Sequence, residues 1–419
     1  MKKKMNYKAP RGTHDILSTD ALGMSFLELK AREIFKKHGF EEIRTPLFED
    51  AALFMHSIGR TTDIVEKEMY TFEDKKGRKL ALRPEGTASL VRAFIEHRMD
   101  TIIPSGKFFY MGEMFRYERP QSGRYRQFHQ IGAEFFGNQS PVADAEIIIL
   151  VQDLLFAAGI DEIDIRINSL GCKKCRPSFR ETLIEYFSSL ENLCKDCLKR
   201  LKKNPLRLFD CKIDSLKFVK APKILNYICT SCKNNFYTLQ TLLKSVNCSY
   251  NVDETLVRGL DYYTQTVFEI CSKKNGAYGT VIAAGGRYDN LVKELGGQDI
   301  PAVGFALGSQ RVLSIIDEHK LLNNFGTPER IFIAVIDQEL FNEAFSFAVK
   351  ISRYGLNNNK NISVFGPKNE KNLTNQLKYA EKIKASKVLV FAKNEFKNGK
   401  LLIKDMNNRT QTENFIDEL

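Results

Sequence analysis

No stretch of this chain approaches the roughly 18 apolar residues that a membrane-spanning helix needs. The longest candidate, IIILVQDLLFAAGI (Ile147–Ile160), is broken by Gln152 and Asp153. The basic opening MKKKMNYKAP carries no apolar core behind its lysines, which argues against a signal peptide. No internal repeat is visible, which points away from solenoid architectures, and only Asn357–Asn361 approaches low complexity. A soluble, cytoplasmic, globular protein is the expectation, with no membrane partner.

With 419 residues, 43% of them hydrophobic, the chain can bury a large core and divide into two or three domains. Its 63 Lys and Arg against 51 Asp and Glu give a formal charge of +12. That balance fits a polyanionic partner, although many basic proteins bind no nucleic acid. Part of the excess is local: between Lys195 and Lys223 ten Lys or Arg stand against three Asp. Such a run is a solvated helical face or a track for a phosphate backbone.

The longer block from about Gly171 to Val252 holds most of the nine cysteines, in three CxxC pairs, Cys172/Cys175, Cys194/Cys197 and Cys229/Cys232, with Cys211 between them. Paired thiolates suggest a tetrahedral zinc site. Pro177–Leu190 reads as a helix opened by proline, and it would hold its ends about 20 Å apart at 1.5 Å per residue. The favoured single site is therefore Cys194, Cys197, Cys229 and Cys232, against the alternative of reduced cysteines filling an apolar core. Disulfides do not suit a reducing compartment.

The most informative segment is Phe109–Gly137, FYMGEMFRYERPQSGRYRQFHQIGAEFFG. Two aromatic-rich runs flank the turn-forming PQSG, which reads as an antiparallel hairpin. Arg116, Arg119, Arg124 and Arg126 surround the turn, with Glu113, Glu118, Gln130 and Glu134 interleaved. Guanidiniums suit bidentate contact with phosphate or carboxylate, so both signs together suggest a zwitterion or a nucleotide beside an amine. Taken alone, the hairpin is more simply a solvated edge with cross-strand ion pairs. Further along, LVRGLDYYTQTVFEI (Leu256–Ile270) reads as a turn into a strand with Arg258 at its mouth. Gly285 and Gly286 precede Arg287 and permit close approach of a ligand or another strand. AVGFALGSQRVL (Ala302–Leu313) brings small residues into a helix bearing Arg311.

Five segments in order, ALRPEGTA (Ala81–Ala88), MFRYERPQSGRYRQFHQIGAE (Met114–Glu134), LVRGLDYY (Leu256–Tyr263), AAGGRYDNLV (Ala283–Val292) and GFALGSQR (Gly304–Arg311), resemble the histidyl-tRNA synthetase family of class II aminoacyl-tRNA synthetases. The resemblance implies an α+β catalytic domain built on the antiparallel class II sheet (1–170 and 253–325), an inserted, mainly helical domain rich in Cys and Lys (171–252), and a C-terminal α/β anticodon-binding domain (326–419). The strand-and-helix alternation after Gly326 reads independently as a small α/β unit.

The resemblance also implies chemistry. L-histidine and ATP would form an adenylate, with Mg²⁺ bridging phosphate oxygens. By this likeness Arg116 and Arg258 are catalytic, and Arg116, Arg124 and Arg311 bind ATP. Glu134 and Tyr263 read the imidazole, Glu85, Thr87 and Gln130 hold the α-amino group, and Tyr262 lines the pocket. Arg119 and Gln121 approach the extra 5′ guanosine of histidine tRNA. A homodimer is implied through GFEEIRTPLFED (Gly39–Asp50), and zinc would be structural because many members lack these cysteine pairs. His129, beside an alternating strand, reads as a hydrogen-bonded structural residue.

Two departures stand out. Gln310-Arg311 replaces the usual Glu-Arg, which would tune the ATP or metal site, and VIAAGGRY carries an extra residue before its glycines. Two other functions compete. A regulatory subunit of ATP phosphoribosyltransferase usually lacks the C-terminal domain and often the RGLDYY arginine, both present here. A zinc-ribbon nucleic-acid binder leaves the separated arginines and the EGT and DYY segments unexplained.

Overall fold

The computed structural model describes residues 7–59, 62–102, 105–120, 123–274, 279–316, 328–357, 359, 361–368 and 372–419. They fall into two compact units, Met1–Glu318 and His319–Leu419. The boundary expected at 325/326 lies outside the described residues.

The first unit is organised by an eight-stranded sheet. Its strands are β1 (Glu41–Glu42), β5 (Gly106–Phe115), β6 (Gln127–Phe136), β7 (Ile163–Ser169), β8 (Asn251–Val252), β9 (Thr264–Ser272), β10 (Val281–Arg287) and β11 (Ala302–Gly308). A small separate sheet holds β2 (Phe48–Asp50), β3 (Thr71–Glu73) and β4 (Lys79–Leu82) in the order β2-β4-β3. The large sheet runs β1-β5-β6-β11-β10-β9-β7-β8, antiparallel except at its two edges.

The arginine hairpin forms as expected, β5 against β6, in register from Gly106↔Phe136 to Phe115↔Gln127. Because side chains alternate along a strand, Ile131, Ala133 and Phe135 of β6 face one side and Gln130 and Glu134 the other. The first side is covered by α1 (Ser18–Lys37), whose Phe35 ring lies 4.7 Å from Phe109 and 6.2 Å from Phe305. On the second side α3 (Thr87–Glu96) stacks Phe94 on Phe136 at 4.3 Å, leaving the rest of that face for a cleft. The remaining helices of this unit are α2 (Ala51–Ser57), α4 (Met99–Ile102), α5 (Pro141–Ala157), α6 (Arg176–Ser188), α7 (Lys195–Lys203), α8 (Thr230–Ser245), α9 (Leu291–Glu294) and α10 (Ser309–Leu313).

AVGFALGSQRVL is strand before it is helix: β11 occupies Ala302–Gly308 and α10 begins only at Ser309. The central position between β6 and β10 demands small residues, and tertiary pairing decides the conformation. A Cβ on Gly285 would lie 2.2 Å from the Gly304 carbonyl oxygen, so this glycine serves strand-to-strand packing. Where VIAAGGRY was expected to carry an extra residue, β10 shifts register against β9 between Val281 and Ala283.

Residues 171–252 supply α6, α7, three 3₁₀ turns and α8. Their apolar core, including Phe179, Leu183, Phe187 and Phe218, continues directly into Tyr262, Tyr263 and Val267. The inserted segment therefore buttresses the back of the RGLDYY strand mouth.

The second unit holds β12 (Glu329–Val335), β13 (Ile362–Phe365), β14 (Lys387–Phe391), β15 (Lys400–Asp405) and β16 (Thr410–Phe415), ordered β13-β12-β14-β15-β16. The first three strands are parallel, as the αβ alternation implied, and helices Phe341–Tyr354 and Leu373–Lys382 connect them. Ile331, Ile333 and Val335 pack into one apolar layer and Phe332 and Ala334 into another, which is why RIFIAVI is apolar throughout after Arg330. The antiparallel β15/β16 hairpin was not read from the sequence. Among the described residues no helix is long and apolar enough to cross a membrane.

Candidate active site

A cleft of about 320 Å³ opens on the second face of the large sheet. Glu85, Thr87, Arg116, Arg124, Gln130, Glu134, Arg258, Tyr262, Tyr263 and Arg311 all line it, so ten residues drawn from four separated segments meet in one place. Arg119 is exposed and does not line the cleft, and Gln121 lies outside the described residues.

One end of the cleft is buried and acidic. Glu85 precedes α3 and accepts the backbone N–H groups of Thr87 (2.7 Å) and Ala88 (2.8 Å), satisfying donors that a helix start leaves open. Burial raises its pKa against those hydrogen bonds. Glu134, 1% exposed, accepts from the Thr87 hydroxyl at 2.7 Å and the Tyr288 hydroxyl at 2.5 Å. A Cβ on Gly304 would sit 1.6 Å from its Oε2, so only glycine leaves room for the carboxyl over β11. Burial pushes Glu134 up to about 8, which favours the protonated carboxyl at neutral pH. Tyr262 and Tyr263 pack at 4.7 Å, and Tyr288 meets Tyr262 edge-on at 5.5 Å.

The other end is cationic. Arg116 donates to the Pro84 carbonyl (2.8 Å) and lies over the Phe128 ring, and Glu118 sits 3.9 Å from Arg116 and 3.4 Å from Arg124. Among the described residues Arg311 is hydrogen-bonded across the cleft by the carbonyls of Val281 (2.9 Å) and Gly123 (3.5 Å). Burial, then repulsion from Arg124 and Arg116, lowers its pKa. Between the two ends stands Arg258, paired with Glu269 and 5.7 Å above the Tyr263 ring. Burial opposes its charge, yet Tyr263, Glu269 and Asp210 hold its pKa above the ordinary range. Among the described residues the Arg258 Nε and the Gln130 Oε1 are buried without a hydrogen-bond partner, which suits a polar ligand.

Tyr288 and Glu269 were missed in the sequence, and Glu118 was noted there only among the carboxylates interleaved with the hairpin arginines. Tyr288 was within reach, since it follows Arg287 inside a quoted motif, whereas Glu269 became visible only once β9 was placed. Arg287 itself turns away from the cleft: it is 1% exposed, bonded to Asp144 at 3.0 Å, Asp289 at 3.1 Å and the carbonyls of Asn138 and Ser140. His129 is likewise structural, with Nδ1 2.8 Å from the Ser309 hydroxyl and Nε2 3.3 Å from Glu28. Gln310 lines the cleft, and its amide oxygen accepts the His129 backbone N–H at 3.0 Å.

The zinc site expected from Cys194, Cys197, Cys229 and Cys232 does not form. Cys229 and Cys232 meet Cys172 and Cys175, while Cys194 and Cys197 meet Cys211 and Asp214. Helix α6 does separate the first two pairs, as its length required, but α8 starts beside the end of β7 and so returns the third pair to the first. Asp214 completes a CxxD turn that a search for paired cysteines passes over.

A family model described as histidyl-tRNA synthetase matches residues 12–174 and 219–312. The chain belongs to the histidyl-tRNA synthetase family. Membership makes it an aminoacyl-tRNA ligase with the class II fold described above. The histidine–tRNA ligase of Endomicrobium trichonymphae is 69% identical over 414 residues, 99% of this chain and 100% of that one. The crystal structure of apo S. aureus histidyl-tRNA synthetase matches with a TM-score of 0.80 and 31% identity, covering 98% of both chains. A Bacillus halodurans C structure titled as an ATP phosphoribosyltransferase regulatory subunit/histidyl-tRNA synthetase matches at 0.67 and 21% identity over 93% of this chain and 99% of that one, a likeness of fold alone.

Proposed function

We propose that this cleft activates L-histidine with ATP and then passes histidine to histidine tRNA, with the chemistry divided between its two ends. The observation that carries the reading is that division: carboxyls and tyrosines at one end, guanidiniums at the other, and Arg258 where they meet.

Activation joins two anions. A carboxylate oxygen of histidine attacks the α-phosphorus, the bond to the bridging oxygen breaks, and pyrophosphate leaves. Arg116 draws the carboxylate and the α-phosphate together, and Arg258 stabilises the charge that builds at the phosphorus, an electrostatic contribution from groups fixed in advance. Arg124 and Arg311 hold the distal phosphates. Mg²⁺ arriving with ATP needs one or two carboxylates beside the phosphates, and Glu118 and Glu269 line the cleft to provide them. Bound there, the ion would neutralise phosphate charge.

Glu134 and Tyr263 pair with the imidazole nitrogens, so an amino acid lacking them leaves buried polar groups unmatched. Glu85, Thr87 and Gln130 take the α-amino group, and Tyr262 forms the wall. Exposed Arg119, with Gln121, meets the 5′ end of the tRNA, and the second unit binds the anticodon. The exposed Leu47, Phe48 and Phe72 on the small sheet suit a homodimer contact of a cytoplasmic enzyme.

The direct test is ATP-dependent attachment of labelled histidine to total tRNA, then to histidine tRNA transcripts with and without the extra 5′ guanosine. Charging that depends on that guanosine and weakens in Arg119→Ala supports the reading. Histidine binding without any charging favours the regulatory alternative.

A further inference from the structure

The inserted segment gathers two groups of four side chains whose ligand atoms lie close together. We infer that each chain holds two structural Zn²⁺ ions, one bound by Cys172, Cys175, Cys229 and Cys232 and the other by Cys194, Cys197, Cys211 and Asp214. In each group the four ligand atoms lie within 4.8 Å of one another. Four sulfurs about 2.3 Å from one zinc ion stand roughly 3.8 Å apart in a tetrahedron. The measured separations match: 3.6 Å for Cys172–Cys175, 3.9 Å for Cys175–Cys232 and 3.8 Å for Cys194–Cys211. The Cys211 Sγ to Asp214 Oδ2 distance is 3.9 Å. All nine cysteines are free thiols.

The surroundings favour thiolates. Cys175, Cys194 and Cys229 are the N-cap residues of α6, α7 and α8, so three helix starts direct their positive ends at the sulfurs. Backbone N–H groups also point at them: Cys229 to Cys175 Sγ at 3.1 Å, Cys197 to Cys194 Sγ at 3.4 Å and Asp214 to Cys211 Sγ at 3.2 Å. Such outer bonds orient metal ligands. Asp214 is 3% exposed among three cysteines, with its Oδ2 accepting the Cys194 backbone N–H at 2.8 Å and Lys217 3.2 Å away, so the carboxylate is fixed where an oxygen ligand of Zn²⁺ would stand.

Each knot lies behind the active cleft. Arg176, next after Cys175, donates to the backbone carbonyl of Tyr263. Asn204, at the end of the helix that Cys194 opens, bonds Asp261 at 2.9 Å. The first ion ties the end of β7 to α8, and the second ties the two ends of the segment 194–214.

Total-metal analysis of full-length protein, purified without chelator, tests the assignment independently of activity. Two zinc ions per chain are expected, falling to about one in Cys232→Ser, about one in Cys211→Ser and none in the double variant. Folded wild-type protein with fewer than two zinc ions, another metal in their place, or a content unchanged by both substitutions would overturn it. Should a variant fail to fold, stepwise zinc release from wild-type protein by an organomercurial, read with a zinc indicator, still counts the ions.

Discussion

At the end of the cleft assigned to histidine each carboxyl already has its donors, whereas at the phosphate end the guanidiniums outnumber their carboxylates. Glu134 is held by Thr87 and Tyr288, and Glu85 by the start of α3. Arg116 and Arg124 share Glu118, and among the described residues Arg311 is bonded to carbonyls rather than to a carboxylate. Under the proposed function the first end selects histidine by fit, and an incoming triphosphate would supply the negative charge that the second end lacks. Arg287 marks the contrast within one residue type, because its charge is already matched by Asp144 and Asp289.

Substitutions should separate these situations. Arg287→Ala strands the buried Asp144, whose pKa burial has pushed to about 6 even beside the guanidinium. Breaking such a pair costs about 3–5 kcal/mol, and the midpoint of chemical denaturation should fall accordingly while amino-acid preference is kept. Arg258→Ala should instead remove adenylate formation by a hundred- to a thousandfold, about 3–4 kcal/mol in the barrier, with only a modest loss of histidine affinity. Near-normal turnover in steady-state kinetics would take Arg258 out of the mechanism.

Glu134→Gln should raise KM for histidine by about 1–3 kcal/mol, the range for a buried partner left mismatched. It also carries a pH signature. The folded state holds the Glu134 proton up to about pH 8, whereas the unfolded chain releases it near 4.5. Between those values the folded state binds more protons, so stability falls as pH rises. The variant lacks this slope, and a pair of denaturation series at pH 5 and pH 8 should show wild type losing more than Glu134→Gln. Arg124→Ala, at the half-exposed rim, should have the smallest effect: a few-fold rise in KM for ATP and a stability change below about 1 kcal/mol.

Much of this was legible in the sequence because local pattern and site chemistry coincide. The hairpin announced itself by a turn between aromatic runs, and the second unit by apolar strands alternating with helices. Ala302–Gly308 was harder, since small residues without periodicity acquire strand identity only from the strands on either side. The cysteine pairing failed for a related reason. Sequence distance excluded one partner for Cys172/Cys175 but could not show that α8 doubles back to it, and Asp214 has no cysteine to advertise it. Glu269 was hidden because its importance comes from its pairing with Arg258, which shows only once β9 is placed, whereas Glu118 stands beside Arg116 and Arg124 in the sequence itself.

The central claim is that one cleft makes histidyl-adenylate. Pyrophosphate exchange into ATP, measured with purified protein, Mg²⁺ and each of the twenty amino acids without tRNA, tests it most directly. Exchange with histidine alone is the predicted result. Exchange driven equally by another amino acid, or none in protein that still binds histidine, would contradict it.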